Sequence, residues 1–109
     1  MNRTDPSGNI KIGDLVKIKP TTELKDRQNK VCFVEHLLGR RFAMKREQEQ
    51  VSLYAIDGEY VGDWFEDEFE HLGKQISVND LKRLLVRYKD KPGLIKDFSR
   101  VLEEVQKNE

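Results

Sequence analysis

Four cations, Arg40, Arg41, Lys45 and Arg46, fall inside seven positions, and Tyr54 follows a short way on. Cationic side chains at that density beside an aromatic ring have the means to hold a phosphate backbone while a base stacks on the ring. Glu47 and Glu49 come directly after them, so a solvated hairpin rim of balanced charge is the plainer reading of the same residues. A second group has the opposite sign. Asp63, Glu66, Asp67, Glu68 and Glu70 surround Trp64 and Phe65, a mixture suited to a basic protein partner if the rings reach the surface and to core packing if they do not.

Catalytic chemistry finds less support. Carboxylates between Asp63 and Glu70 beside His71 are the right types for an acid and base pair, but carboxylates in a solvated turn rarely carry the shifted pKa values that proton transfer needs. His36 and His71 are far apart, Cys32 has no second cysteine, and Asp67 and His71 share a face only if their turn is helical, so no metal-ligand spacing emerges. Ser7, Ser52, Ser77 and Ser99 lack a nucleophile motif, and the seven glycines are scattered singly rather than gathered in a phosphate loop. The expectation is a protein that is not an enzyme, with no cofactor, no metal and no evident small-molecule substrate.

These residues need a scaffold, and 109 residues allow one domain of ordinary size or a small barrel with a helical appendage. Lys plus Arg and Asp plus Glu each number 20, which excludes a generic polyanion binder. The charges are uneven along the chain: 11 basic and 14 acidic residues precede Gly73, and 9 basic and 6 acidic follow it. That asymmetry suits docking of the two parts on each other, or binding of an outside partner. A lone Cys32 between Val31 and Phe33 reads as a core thiol in a reducing, cytoplasmic setting. No apolar run reaches the roughly 20 residues of a membrane span, and Met1–Asn9 reads as a mobile leader.

The stretch Val51–Leu72 organises the rest. Val51, Leu53 and Ala55 alternate with Ser52, Tyr54 and Ile56, Asp57-Gly58 offers a positive-φ turn, and Tyr60, Gly62 and Trp64 resume the alternation, which predicts a hairpin with two populated faces. Glu66-Asp67-Glu68 predicts a short turn before a last strand. Ahead of it, Leu15, Val16 and Ile18 predict a first strand ending at Pro20, with Val16 and Ile18 inward. Thr21–Asn29 is a solvated or binding loop anchored only by Leu24. Lys30–Leu38 predicts a central strand ended by Gly39, and Arg41–Glu47 a separate strand partnering Val51–Ile56. The period then changes. Val78, Leu81, Leu84, Leu85 and Tyr88 form one helical stripe begun at Ser77 or Asn79, with Lys82, Arg83 and Arg87 outside it. Pro92 opens a second helix carrying Leu94, Ile95, Phe98, Val101, Leu102 and Val105.

With Ile12-Gly13-Asp14-Leu15-Val16 opening the first strand and Trp64-Phe65-Glu66-Asp67-Glu68-Phe69-Glu70 leading into the last, residues 10–72 resemble a Src-homology-3-type small β-barrel. The resemblance implies an α+β protein: a leader over 1–9, an antiparallel barrel of about five strands over 10–73, and a helical hairpin over 74–109. That fold serves peptide binding, ribosomal and transcription-factor contacts, phage assembly and ribonuclease toxins, so it does not choose a function. Messenger-RNA-cleaving toxins carry a Gly-rich, Arg-Pro-containing segment where this chain has Thr21–Asn29. Proline-peptide binders pair exposed aromatics, for which Tyr54, Tyr60 and Trp64 are candidates, with an acidic loop pattern not found here. The expected function is a protein-interaction or regulatory module of a bacterial or phage-like protein, using Tyr60, Trp64, Phe65, Leu94 and Phe98, with self-association through the helical stripe as one form. The alternative is a nucleic-acid-binding accessory protein using Arg40, Arg41, Lys45 and Arg46.

Overall fold

The computed structural model describes residues 10–43 and 45–107; the leader expected at Met1–Asn9 and Met44 of the expected strand Arg41–Glu47 lie outside them. Five strands, β1 (Asp14–Ile18), β2 (Val31–Ala43), β3 (Arg46–Ala55), β4 (Tyr60–Phe65) and β5 (Phe69–Gln75), precede two helices, α1 (Val78–Arg87) and α2 (Pro92–Lys107). Single-turn 3-10 helices occupy Lys25–Arg27 and Glu66–Glu68.

The strands form one antiparallel sheet in the order β4-β3-β2-β1-β5. This corrects the expected Src-homology-3-type barrel: the sheet is open, with β4 and β5 as its two unpaired edges. Those edges are joined by the three residues Glu66–Glu68 alone, so the sheet must roll until they approach at that end. Register shifts at Asp14/Val16, Val34/His36, Leu37/Gly39 and Leu53/Tyr54 supply bends for the roll. The sheet stays open, and the segment after β1 borders the β4 edge. Thr21–Leu24 face Val61–Trp64 of β4 across a cleft, and the Lys19 N–H donates to the Glu68 carbonyl at 3.0 Å.

The β2–β3 hairpin also differs from expectation. Gly39 does not end the central strand; at φ +102 it carries a bulge, and β2 continues to Ala43. Arg41–Ala43 and Arg46–Glu47 are therefore opposite sides of one hairpin tip. The partner of Val51–Ala55 is Cys32–Leu37 rather than Arg41–Glu47.

Alternation along β2 and β3 builds two cores, one on each face of the sheet. Val16, Ile18, Cys32, Val34, Val51, Leu53, Ala55, Val61, Trp64 and Phe69 fill the face on which the sheet rolls. Phe33 and Tyr54 point the other way and meet Ile76, Leu81, Leu84, Phe98, Val101 and Val105. Phe98 stands at the centre of that second cluster, with ring centroids 5.9 Å from Phe33, 5.3 Å from Tyr54 and 6.1 Å from Tyr88. The helical stripe that the sequence left available for a second copy is thus taken up by the sheet. Ser77 caps α1 by accepting the Asp80 N–H at 3.1 Å, and Pro92 opens α2.

Candidate functional site

The hairpin tip places three of the four basic residues in register, Arg40 opposite Glu49, Arg41 opposite Gln48 and Arg46 opposite Ala43, with Lys45 in the turn. Arg40 Nε donates to Glu47 Oε1 at 2.8 Å, and its Nη2 to the Glu47 carbonyl at 3.2 Å. Arg46 Nη1 lies 3.4 Å from Glu66 Oε1. Two of the four cations are therefore neutralised locally, leaving Arg41 and Lys45 exposed without an acidic partner among the described residues. Tyr54, expected beside them, is turned into the helix-side core and stacks on Phe33. The exposed ring at the tip is Phe42, at 76%.

The five residues expected at a protein interface are not brought together. Trp64 is 4% exposed, its indole N–H donating to the Val61 carbonyl at 3.0 Å, and Phe98 is fully buried in the opposite core. Leu94 is half-buried beside Phe98's cluster. Tyr60 and Phe65 do reach the surface. Tyr60 is held by Asp63, whose Oδ1 accepts the Tyr60 hydroxyl at 2.6 Å and the Ser52 hydroxyl at 2.8 Å. That hydrogen bond to a carboxylate pushes the Tyr60 phenol up to about 12.

Two buried polar residues, which their place in a charged run concealed, hold this end together. Gln48 is fully buried; its Nε2 donates to the Ala43 carbonyl at 3.1 Å and its Oε1 accepts the Asp67 N–H at 3.2 Å, tying the hairpin tip to the 3-10 turn. Glu66, 6% exposed, accepts from Arg46 and from the Glu49 N–H at 3.3 Å. Its second oxygen, Oε2, is buried without a partner, as is Nε2 of His71. An unmet buried polar atom costs about 1–3 kcal/mol.

Between the hairpin tip, β4 and the segment after β1 run two adjoining clefts of about 590 and 490 Å³ that share Thr21, Thr22 and Glu68. Leu24, Val61 and Trp64 supply apolar surface in one, and Phe42, Ala43 and Phe65 in the other. Glu23, Asp63, Asp67 and Glu68 are the charged residues of the lining, which contains no Lys, Arg or His. Leu24 is 54% exposed, so it is part of this surface rather than the anchor expected of it. The loop is shaped by its own hydrogen bonds: Gln28 Nε2 donates to the Thr22 carbonyl at 2.9 Å, and the Leu24 N–H to Thr22 Oγ1 at 3.4 Å. Glu68 Oε1 accepts the Phe65 N–H at 2.8 Å, whereas Glu23 and Asp67 have no side-chain partner among the described residues.

Among the described residues no cluster of three or more His, Cys, Asp or Glu could hold a metal ion, and no helix is long and apolar enough to cross a membrane. The chain matches no protein-family model, no curated protein and no solved structure.

Proposed function

We propose that the protein is a non-catalytic interaction module whose groove along the open edge β4 takes an extended, basic segment of a partner protein. The observation that carries this is the lining: four carboxylates, no cation, and two exposed apolar side chains, Leu24 and Phe42, contributed by the two clefts. A partner alternating basic and apolar side chains would meet complementary charge along the rim and bury those two groups. An extended segment also suits the site because an edge strand carries unpaired backbone donors and acceptors. Nucleic acid is a poorer fit at the hairpin tip, since Arg40 and Arg46 are already in ion pairs with Glu47 and Glu66.

The test is fluorescence anisotropy with labelled peptides of alternating lysine and leucine, set against glutamate–leucine peptides and single-stranded and duplex oligonucleotides. Saturable binding of the basic peptide alone is expected. Phe42→Ala should weaken it about tenfold, and Glu23→Gln or Asp67→Asn about two- to fivefold each, with partial sensitivity to salt. Equal binding of acidic and basic peptides, or binding indifferent to all three substitutions, would sink the reading.

A further inference from the structure

We infer that a second cleft, of about 410 Å³ and lined by Lys19, Arg46, Glu66, Asp67, Phe69, Glu70 and His71, binds a protonated primary amine. Two observations from different elements converge on it. Glu66, on the 3-10 turn, is 6% exposed and leaves Oε2 without a partner; His71, on β5, leaves Nε2 buried and without a partner. Both residues line this one cleft. A buried carboxylate oxygen lacking a donor is a costly group that a donor cation relieves, and an imidazole nitrogen in the adjacent wall supplies a second acceptor when its proton sits on Nδ1.

The geometry favours an alkylammonium over a guanidinium. An ammonium offers three donors from one centre and can meet acceptors that come from separate elements, whereas the coplanar fork of a guanidinium is matched to a single carboxylate. Arg46 already uses Oε1 of Glu66 and its side chain is 55% exposed, so the ligand's donor is assigned to the other oxygen, Oε2. Of the remaining charges, Glu70 is held by Lys17 at 3.2 Å, and Lys19 and Asp67 contribute one charge of each sign to the lining. Phe69 provides the apolar floor for the alkyl group. Asp67 lines both this cleft and the groove described above, so the amine has two sources: a free small molecule, or a lysine side chain of a segment lying in the groove.

The experiment titrates methylammonium chloride into the nitrogen-15-labelled full chain, with sodium chloride at matched ionic strength as control. The readouts are the His71 imidazole nitrogens and the Glu66 and Asp67 amides. Saturable shifts confined to these signals, absent with sodium chloride, are expected; identical shifts with both salts, or none, overturn the proposal. Glu66→Gln should weaken methylammonium binding about tenfold. Because Glu66 also supports Arg46 and Glu49, His71→Phe provides an independent variant and should weaken methylammonium binding about threefold; wild-type affinity in a folded His71→Phe protein would overturn the assignment. Replacing peptide lysines by norleucine separates the sources: a loss of affinity that Glu66→Gln reproduces assigns the amine to a partner's lysine, and methylammonium binding with unchanged peptide affinity assigns it to a free amine. Phe42→Ala, which should impair only the peptide, keeps failure of the groove distinct from failure of this cleft.

Discussion

Tyr88, where α1 ends, donates its hydroxyl to the backbone carbonyl of Asp57 at 2.7 Å, and its ring lies over Gly58 in the β3–β4 turn. This contact pins the helical hairpin to the hairpin that borders the candidate groove. Gly58 has φ +96, and a Cβ there would run into the Tyr88 ring, so glycine is required both for backbone freedom and for close approach. Gly58→Ala should destabilise by about 1–3 kcal/mol, and Tyr88→Phe by about 1 kcal/mol. The combination of Gly58→Ala with Tyr88→Ala should cost less than the sum of its parts, because removing the ring relieves the clash. Urea denaturation of the four proteins measures the coupling, and strict additivity would show that ring and glycine do not meet.

Trp64 and Phe42 both line the candidate groove, but at opposite degrees of burial. Trp64 sits in the sheet's rolled core at 4% exposure, whereas Phe42 is 76% exposed. Trp64→Ala should therefore cost about 3–5 kcal/mol, a large part of the roughly 5–15 kcal/mol that holds a small domain together. Phe42→Ala should change stability by no more than about 0.5 kcal/mol. Thermal unfolding followed by circular dichroism distinguishes the two; a stable Trp64→Ala protein would contradict the core placement.

Where local chemistry decides, the sequence was readable. Asp57-Gly58 makes a turn because glycine reaches positive φ, Ser77 caps α1 because its hydroxyl can accept a helix N–H, and Pro92 opens α2 because that position needs no N–H donor. The two faces of β3 followed from strict alternation. Features set by distant partners were hidden. Gly39 looks like a strand end unless the bulge that carries β2 onward is known. Gln48 and Glu66 sit in charged runs that read as solvated, and only the register and the return of the chain through Glu66–Glu68 bury them. Whether a five-stranded sheet closes depends on its edges, and residues 21–24, which border β4's edge, showed no pattern that would reveal it.

Cys32 lies between β1 and β3 in the sheet with no exposed surface, and burial pushes its thiol up to about 12. A thiol held protonated and away from solvent reacts slowly, since the thiolate is the nucleophile. Labelling by an aromatic disulfide reagent at pH 8 should be negligible in the native protein and complete in denaturant. At intermediate denaturant its rate should follow the open population rather than reagent access. Rapid labelling of the native protein would place Cys32 outside the core.

Glu35 faces α2 from β2 at 6% exposure, with Arg100 Nη1 3.7 Å from its Oε2. Burial raises its pKa above the ordinary value near 4.5; the neighbouring Asp97 and Asp63 add to the rise, and His36 and Arg100 oppose it. The native state therefore holds the Glu35 proton more tightly than the unfolded chain does. Its contribution to stability is fully present below about pH 4.5 and falls as pH rises through the native value. Glu35→Gln removes this dependence, so the variant should gain on the parent as pH is raised from about 4 toward neutrality. Asp14, also raised by burial, acts with the same sign in both proteins and cancels in the comparison. Urea midpoints across that range provide the measurement. A difference that stays flat with pH would mean that Glu35 ionises as easily in the folded protein as in the unfolded one, with Arg100 compensating fully for burial.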